Sequence, residues 1–194
     1  MMKHQNLRRN LILSAGLLVV YTATFLIAMA VGRPVETLNF IATAGVAAGA
    51  ALILSWLPFS YYAAIVLFAC AAQYFGMMFD FYHMFWWYDI VIHFLSGILL
   101  GAMGHFLCRL LCKKMQAVLP IAVSVLFAVF FAAACAGLWE IYEYCSDVFF
   151  GLETQSSGAQ SAIDDTMQDI IAGTVSAALY GCGLALFLRK KRSG

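Results

Sequence analysis

Long apolar runs alternate with short polar segments along most of the chain. Each run approaches the roughly 20 residues that a helix needs to cross the hydrocarbon core of a membrane. The pattern predicts an all-α polytopic membrane protein, a six-helix transmembrane bundle that forms one domain over residues 1–194. The predicted helices cover residues 11–31, 38–57, 61–79, 89–107, 120–144 and 165–188.

Composition supports membrane insertion. Hydrophobic residues make up 64% of the chain and charged residues only 11%, whereas about a quarter of the residues of a soluble domain are charged. The first run has a competing interpretation as a signal peptide, because Ala28-Met29-Ala30 resembles a cleavage site. Its apolar stretch exceeds the usual core of about 7–15 residues, so an uncleaved helix is predicted.

The basic residues predict the orientation. Ten of the eleven Lys and Arg lie at the N-terminus, after the fourth predicted helix, or at the C-terminus, and Arg33 is the exception. Six spans place these three regions on one side of the membrane, which the positive-inside rule identifies as the cytoplasm. Both termini are therefore predicted to be cytosolic. Because the basic clusters serve as topology signals, no nucleic-acid partner is predicted.

The acidic residues align in depth near the opposite side. Counting 20 residues from the cytosolic end of a span places Asp80, Asp89, Glu140 and Asp169 at one level. His93 follows Asp89 by one turn and shares its helical face. Ionisable groups in a spanning helix are costly, and they usually face a protein interior or a water-filled cavity.

Small residues predict how the helices bring these groups together. Asp165 and Asp169 are four residues apart and lie on one face of the sixth predicted helix, and small residues continue that face toward the cytosolic end. Small residues likewise follow His93 on its face of the fourth predicted helix. Small side chains allow close helix packing in lipid, so the fourth and sixth helices should bring His93 and Asp169 together. The residues of the two stripes are Gly173, Ala177, Gly181, Gly97 and Gly101.

One histidine among several carboxylates suits a divalent metal ion. Imidazole nitrogen and carboxylate oxygen are ligands of zinc, manganese and iron. The predicted ligands are His93, Glu140, Asp165 and Asp169. Asp89 is assigned to orient the imidazole from outside the ligand set.

Three motifs together resemble a known family. They are Tyr88-Asp89-x3-His93-Phe94-x2-Gly97, Trp139-Glu140-x2-Glu143-Tyr144 and Asp165-Thr166-x2-Asp169-x3-Gly173. Their order and spacing resemble the YjdF-like bacterial inner-membrane proteins, a family without an established activity, and are more distantly similar to VanZ-like proteins. The resemblance implies a multi-pass protein of the bacterial inner membrane. It also implies that Asp89, His93, Glu140, Asp165 and Asp169 are the family's polar positions.

The leading functional hypothesis is a metal-dependent hydrolase that acts on a membrane lipid or lipid-linked substrate of the envelope. Water activated by the metal would be the nucleophile, with Glu140 or Glu143 as the general base. A proton- or cation-coupled transporter could use the same residues. A non-catalytic envelope modulator, in which the acids are solvated helix ends, is the third possibility.

Overall fold

The computed structural model describes residues 2–32, 37–151, 154–155 and 161–193, and these residues form helices without any strand. The predicted all-α class is confirmed for this part of the chain. Its elements are α1 (Met2–Ala30), α2 (Thr37–Leu54), α3 (Phe59–Ala69), a π-helix (Cys70–Met78), α4 (Phe81–Met84), α5 (Tyr88–Met115), α6 (Ile121–Phe150) and α7 (Ala162–Ser193).

Five helical segments in the described residues are long and apolar enough to cross a membrane, whereas six were predicted. The difference lies at α2, whose described apolar stretch Asn39–Leu54 falls short of this length. The five segments are His4–Ala30, Phe59–Met78, Tyr88–Met115, Ile121–Phe150 and Ala162–Lys190. Large apolar side chains remain exposed along these helices, as expected for surfaces in contact with lipid.

The chain divides into two compact units, Met1–Tyr88 and Asp89–Gly194. The single domain remains a prediction. In the first unit, Tyr21 of α1 stacks on Tyr74 of the π-helix with ring centroids 4.8 Å apart. The buried amide of Asn10 donates hydrogen bonds to the carbonyls of Ser55 and Leu57, at 2.8 and 2.9 Å. These contacts tie α1 to the neighbouring elements.

The third predicted span changes its hydrogen-bonding register at Cys70, where the α-helix becomes a π-helix. Polar side chains donate hydrogen bonds to carbonyl oxygens of this segment. Tyr88 binds the carbonyl of Ala71 at 2.8 Å, and Asn39 binds that of Met77 at 3.3 Å. These interactions compensate for the irregular backbone, which in lipid must find its partners within the protein.

In the second unit, both ends of α6 coincide with a local sequence signal. Pro120 immediately precedes α6, and Gly151 ends that helix with a positive φ of 65°, a conformation that glycine adopts without strain. The segments α5, α6 and α7 all extend beyond the helices predicted from the sequence. Their polar ends carry the predicted site residues of this unit.

Candidate functional site

Each helix of the second unit carries small residues that lead along one face to an ionisable side chain. This arrangement draws the helix backbones together directly beside the polar groups. The stripes are Gly104, Gly101 and Gly97 leading to His93 and Asp89 on α5; Ala128, Ala132 and Ala136 leading to Glu140 on α6; and Ala177 and Gly173 leading to Asp169 and Asp165 on α7.

A close backbone contact joins α5 to α7. A Cβ atom at Gly97 would overlap the carbonyl oxygen of Gly173 and the hydroxyl of Ser176. A Cβ atom at Gly173 would lie 3.4 Å from the Cβ of Ala136 on α6 and 3.6 Å from the carbonyl oxygen of His93. The predicted close packing of the fourth and sixth spans is confirmed, and it places His93 beside Asp169.

The imidazole of His93 lies between carboxylates on three helices. Its Nε2 atom is 3.5 Å from Oδ1 of Asp89 and 3.7 Å from Oδ2 of Asp169. Its Nδ1 atom faces Oε1 of Glu140 at 3.9 Å. The separations from Asp169 and Glu140 are too long for direct hydrogen bonds. The ring therefore separates two acids at one nitrogen from a third acid at the other.

Two of these acids are deeply buried and carry carboxylate oxygens that have no hydrogen-bond partner. Glu140 is 5% exposed and Asp169 is 2% exposed. In the described part of the chain, neither carboxylate oxygen of Glu140 and not Oδ2 of Asp169 has a hydrogen-bond partner. Because a buried, unpaired carboxylate is costly, these groups require a cation or protons.

Asp89, His93 and Asp169 have the separations expected of ligands to one metal ion. One donor atom from each lies within 4.8 Å of the others. Two donors about 2.1 Å from a tetrahedral ion are roughly 3.4 Å apart. The Nε2 atom of His93 is 3.5 and 3.7 Å from the two aspartates, so these residues fit a small divalent cation with little movement.

The remaining predicted site residues lie around this group. Asp165 is buried one turn before Asp169 on α7. Glu143 is partly exposed, and its Oε1 accepts a hydrogen bond from Nε1 of Trp139 at 2.9 Å. The sequence placed Glu140 and Asp165 among the ligands and Asp89 outside them. In the structure, Asp89 and Asp169 both face Nε2 of His93, and Glu140 faces Nδ1 of the same ring.

Two further acids have local partners. Asp80, predicted at the same depth as the cluster, belongs to the first unit and pairs with exposed His83. Asp147 accepts hydrogen bonds from the backbone N–H groups of Thr154 and Gln155, at 2.8 and 3.0 Å, and from the Thr154 hydroxyl. Asp147 is therefore engaged in holding the described part of the loop.

Thr166 and Gln155 form a polar contact that sequence reasoning missed. Nε2 of Gln155 donates a hydrogen bond to the Thr166 hydroxyl at 3.1 Å. Thr166 lies within the Asp165-Thr166-x2-Asp169 motif, so its place in the sequence could have marked it as a polar residue close to the site. Gln155 lies in a polar loop and offered no comparable spacing.

The chain is a membrane protein of a family without an assigned function. A family model described as "Predicted membrane protein (DUF2238)" matches residues 10–190. The chain belongs to this family, which is the YjdF-like family predicted from its motifs. No curated protein matches the chain, and no solved structure does.

Proposed function

We propose that this is a multi-pass protein of the bacterial inner membrane that binds a divalent metal ion and acts on an envelope lipid or lipid-linked substrate. The observation that carries this proposal is the convergence of Asp89, His93 and Asp169 on one point in a buried, acid-rich cluster. Zinc, manganese and iron are the candidate ions, because they accept one imidazole with carboxylates.

The ligand roles follow from the two faces of the imidazole. Nε2 of His93, Asp89 and Asp169 would hold the ion, while Nδ1–H of His93 would donate a hydrogen bond to Oε1 of Glu140 after a small movement. A carboxylate behind a metal-binding histidine fixes its tautomer and ring orientation. Asp165, buried one turn before Asp169, is the proposed further ligand.

A hydrolytic reaction also needs a group that accepts a proton from water. The bound ion would supply Lewis acidity. Glu143 is the proposed general base, because its carboxylate is partly exposed and is oriented by Trp139. Glu140 was the alternative base, but its burial against Nδ1 favours a positioning role.

A proton- or cation-coupled transporter is the second candidate. The unpaired, buried oxygens of Glu140 and Asp169 favour it, since such groups in a membrane often mark ion pathways. A non-catalytic envelope modulator is the third proposed function. A distant relation to VanZ-like proteins also stays a proposal.

Metal analysis of the purified protein tests the leading proposal. The wild type is expected to retain about one zinc, manganese or iron per chain, and His93→Ala is expected to lose it, because the central ligand is removed. The control is His83→Ala, which changes an exposed histidine of the other unit. Binding should also weaken at low pH, because ligands must be deprotonated.

A wild type without metal, whose melting temperature does not respond to added zinc or manganese, contradicts the metal proposal. Proton-dependent flux in reconstituted vesicles that is lost in Glu140→Gln then supports the transporter. If neither metal nor flux is found, a modulator role is favoured.

The proposed topology has six spans, α2 in addition to the five long segments, with both termini in the cytosol. It rests on the three basic regions of the chain. Fusion tags at either terminus are expected to be protected in intact cells. A Ser157→Cys variant without Cys145 is expected to react with an impermeant thiol reagent; Ser156 and Ser157 lie outside the described residues. Labelling only after permeabilisation is the result that contradicts this orientation.

A further inference from the structure

Buried polar side chains fix which side of α1 faces the protein. Asn10, Ser14 and Tyr21 are each no more than 2% exposed, and their spacing places them on one helical face. The Asn10 amide binds two backbone carbonyls of the first unit, and the hydroxyl of Ser14 shares a hydrogen bond with that of Tyr62. The remaining faces of α1 are therefore held outward.

One of these outward faces forms an open groove that combines basic and apolar side chains. His4 and Arg8 are its exposed basic members. Leu11 and Ile12, further along the helix, are 43% and 60% exposed. The groove is lined by His4, Leu7, Arg8, Leu11, Ile12 and Ala15. All of these residues belong to α1, so the groove passes from basic to apolar along a single helix.

Arg8 is a cation without an acidic partner among the described residues. Residues 1–35 contain no Asp or Glu, and none of the ion pairs in the described part of the chain involves Arg8. Arg9 differs, because its guanidinium lies 3.9 Å from the centroid of the Phe59 ring. Successive residues of a helix are about 100° apart around its axis, so the two arginines face different surroundings. Arg8 is the one that is open to an external anion.

The position of Arg8 along α1 matches the headgroup level of a bilayer. Residues 11–30 form a run of 20 residues without a charge, about 30 Å of helix, and this length equals the hydrocarbon thickness. Arg8 precedes the run by three residues, about 4.5 Å, and its long side chain can extend toward the headgroups. Leu11, Ile12 and Ala15 lie in the first turns inside the hydrocarbon. A lipid beside this face would bring its phosphate to Arg8.

We propose that this face of α1 binds an anionic phospholipid, with its phosphodiester at Arg8 and one acyl chain along Leu11, Ile12 and Ala15. A guanidinium donates a forked pair of hydrogen bonds to a phosphate. A zwitterionic lipid carries its own ammonium, which cancels the phosphate charge, whereas an anionic lipid keeps a net negative charge for Arg8. His4 supplies a second polar contact at the basic end of the groove. The site belongs to the first unit and does not depend on the proposed metal.

The test compares two lipids with the same acyl chains, dioleoyl phosphatidylglycerol and dioleoyl phosphatidylcholine. The purified full-length protein in detergent is titrated with each lipid, once as purified and once after EDTA treatment. Native mass spectrometry measures the bound lipid. Phosphatidylglycerol is expected to bind at least about fivefold more tightly, because one basic residue near an anionic lipid contributes on this order. EDTA is expected to leave the preference unchanged.

Two variants at adjacent exposed positions assign the lipid to this face. Arg8→Gln is expected to weaken phosphatidylglycerol binding by about fivefold and to leave phosphatidylcholine binding unchanged. Arg9→Gln is the matched control, because it removes the same charge from a side chain that lies over Phe59, and it should leave both affinities unchanged. Other basic regions also attract anionic lipid, so the difference between the two variants, and not the total uptake, locates the site.

Three results overturn the proposal. The first is equal affinity of the wild type for the two lipids. The second is an equal loss in Arg8→Gln and Arg9→Gln, since binding would then reflect net charge alone. The third is displacement of phosphatidylglycerol by millimolar inorganic phosphate, since the site would then recognise a free anion. A protein that holds no metal but keeps the preference dependent on Arg8 supports this proposal and contradicts only the metal proposal.

Discussion

Replacing Gly97 by alanine is expected to lower the melting temperature in detergent by roughly 5–10 °C, corresponding to about 2–3 kcal/mol of overpacking. The new methyl group would overlap the carbonyl oxygen of Gly173 and the hydroxyl of Ser176. A backbone oxygen cannot turn away as a flexible side chain can, so α5 and α7 must separate. Differential scanning fluorimetry measures this loss directly.

Three glycine substitutions make the test specific. Gly137→Ala on α6 is the matched control, because nothing lies within 4 Å of its added Cβ and alanine favours helix formation. Gly173→Ala should be mild, since its Cβ makes ordinary contact with Ala136 at 3.4 Å, whereas Gly173→Leu should disrupt the packing. If Gly97→Ala and Gly137→Ala melt alike, the close contact between α5 and α7 is wrong.

Apolar run length and small-residue spacing predicted most of the second unit. The stripe of Gly173 and Ala177 below Asp169, and of Gly97 and Gly101 below His93, predicted which helix faces meet, because only small residues allow backbones to approach closely. The first unit was harder to predict. The π-helix at Cys70–Met78 depends on side chains distant in sequence, including Asn39 and Tyr88, that bind its carbonyl groups. The length and apolar character of the run give no sign of this change in hydrogen-bonding register.

At the candidate site, too, some features could be predicted from the sequence and others could not. Counting residues gave the depth of Asp89, Glu140 and Asp169, and the structure brings all three to His93. Counting did not give the rotation of each helix about its axis, which decides the imidazole nitrogen that each acid faces. That rotation follows from contacts such as Gly97 against Gly173. The ligand roles of Asp89 and Glu140 therefore could not be separated by spacing alone.

Glu140→Gln is expected to weaken metal binding by about 10–100-fold while leaving one ion per chain at saturation, as changes behind a ligating histidine do. Asp89→Asn and Asp169→Asn are expected to remove stoichiometric binding, because each takes away a charged donor facing Nε2 of His93. Titration of metal-free protein with zinc and manganese, followed by melting temperature and metal content, measures both outcomes. Asp164→Asn, at an exposed position of α7, controls for the loss of one negative charge.

The opposite order of effects in the Glu140 and Asp89 variants would identify a different ligand set. If Glu140→Gln abolishes binding and Asp89→Asn only weakens it, the ligand set is His93, Glu140, Asp165 and Asp169, with Asp89 orienting the ring. The ion would then lie toward Nδ1, the nitrogen that faces Glu140. The two arrangements differ in which carboxylate sits behind the imidazole and which sits on the ion. The ratio of the two affinities therefore decides between them, because only a direct ligand is indispensable to the complex.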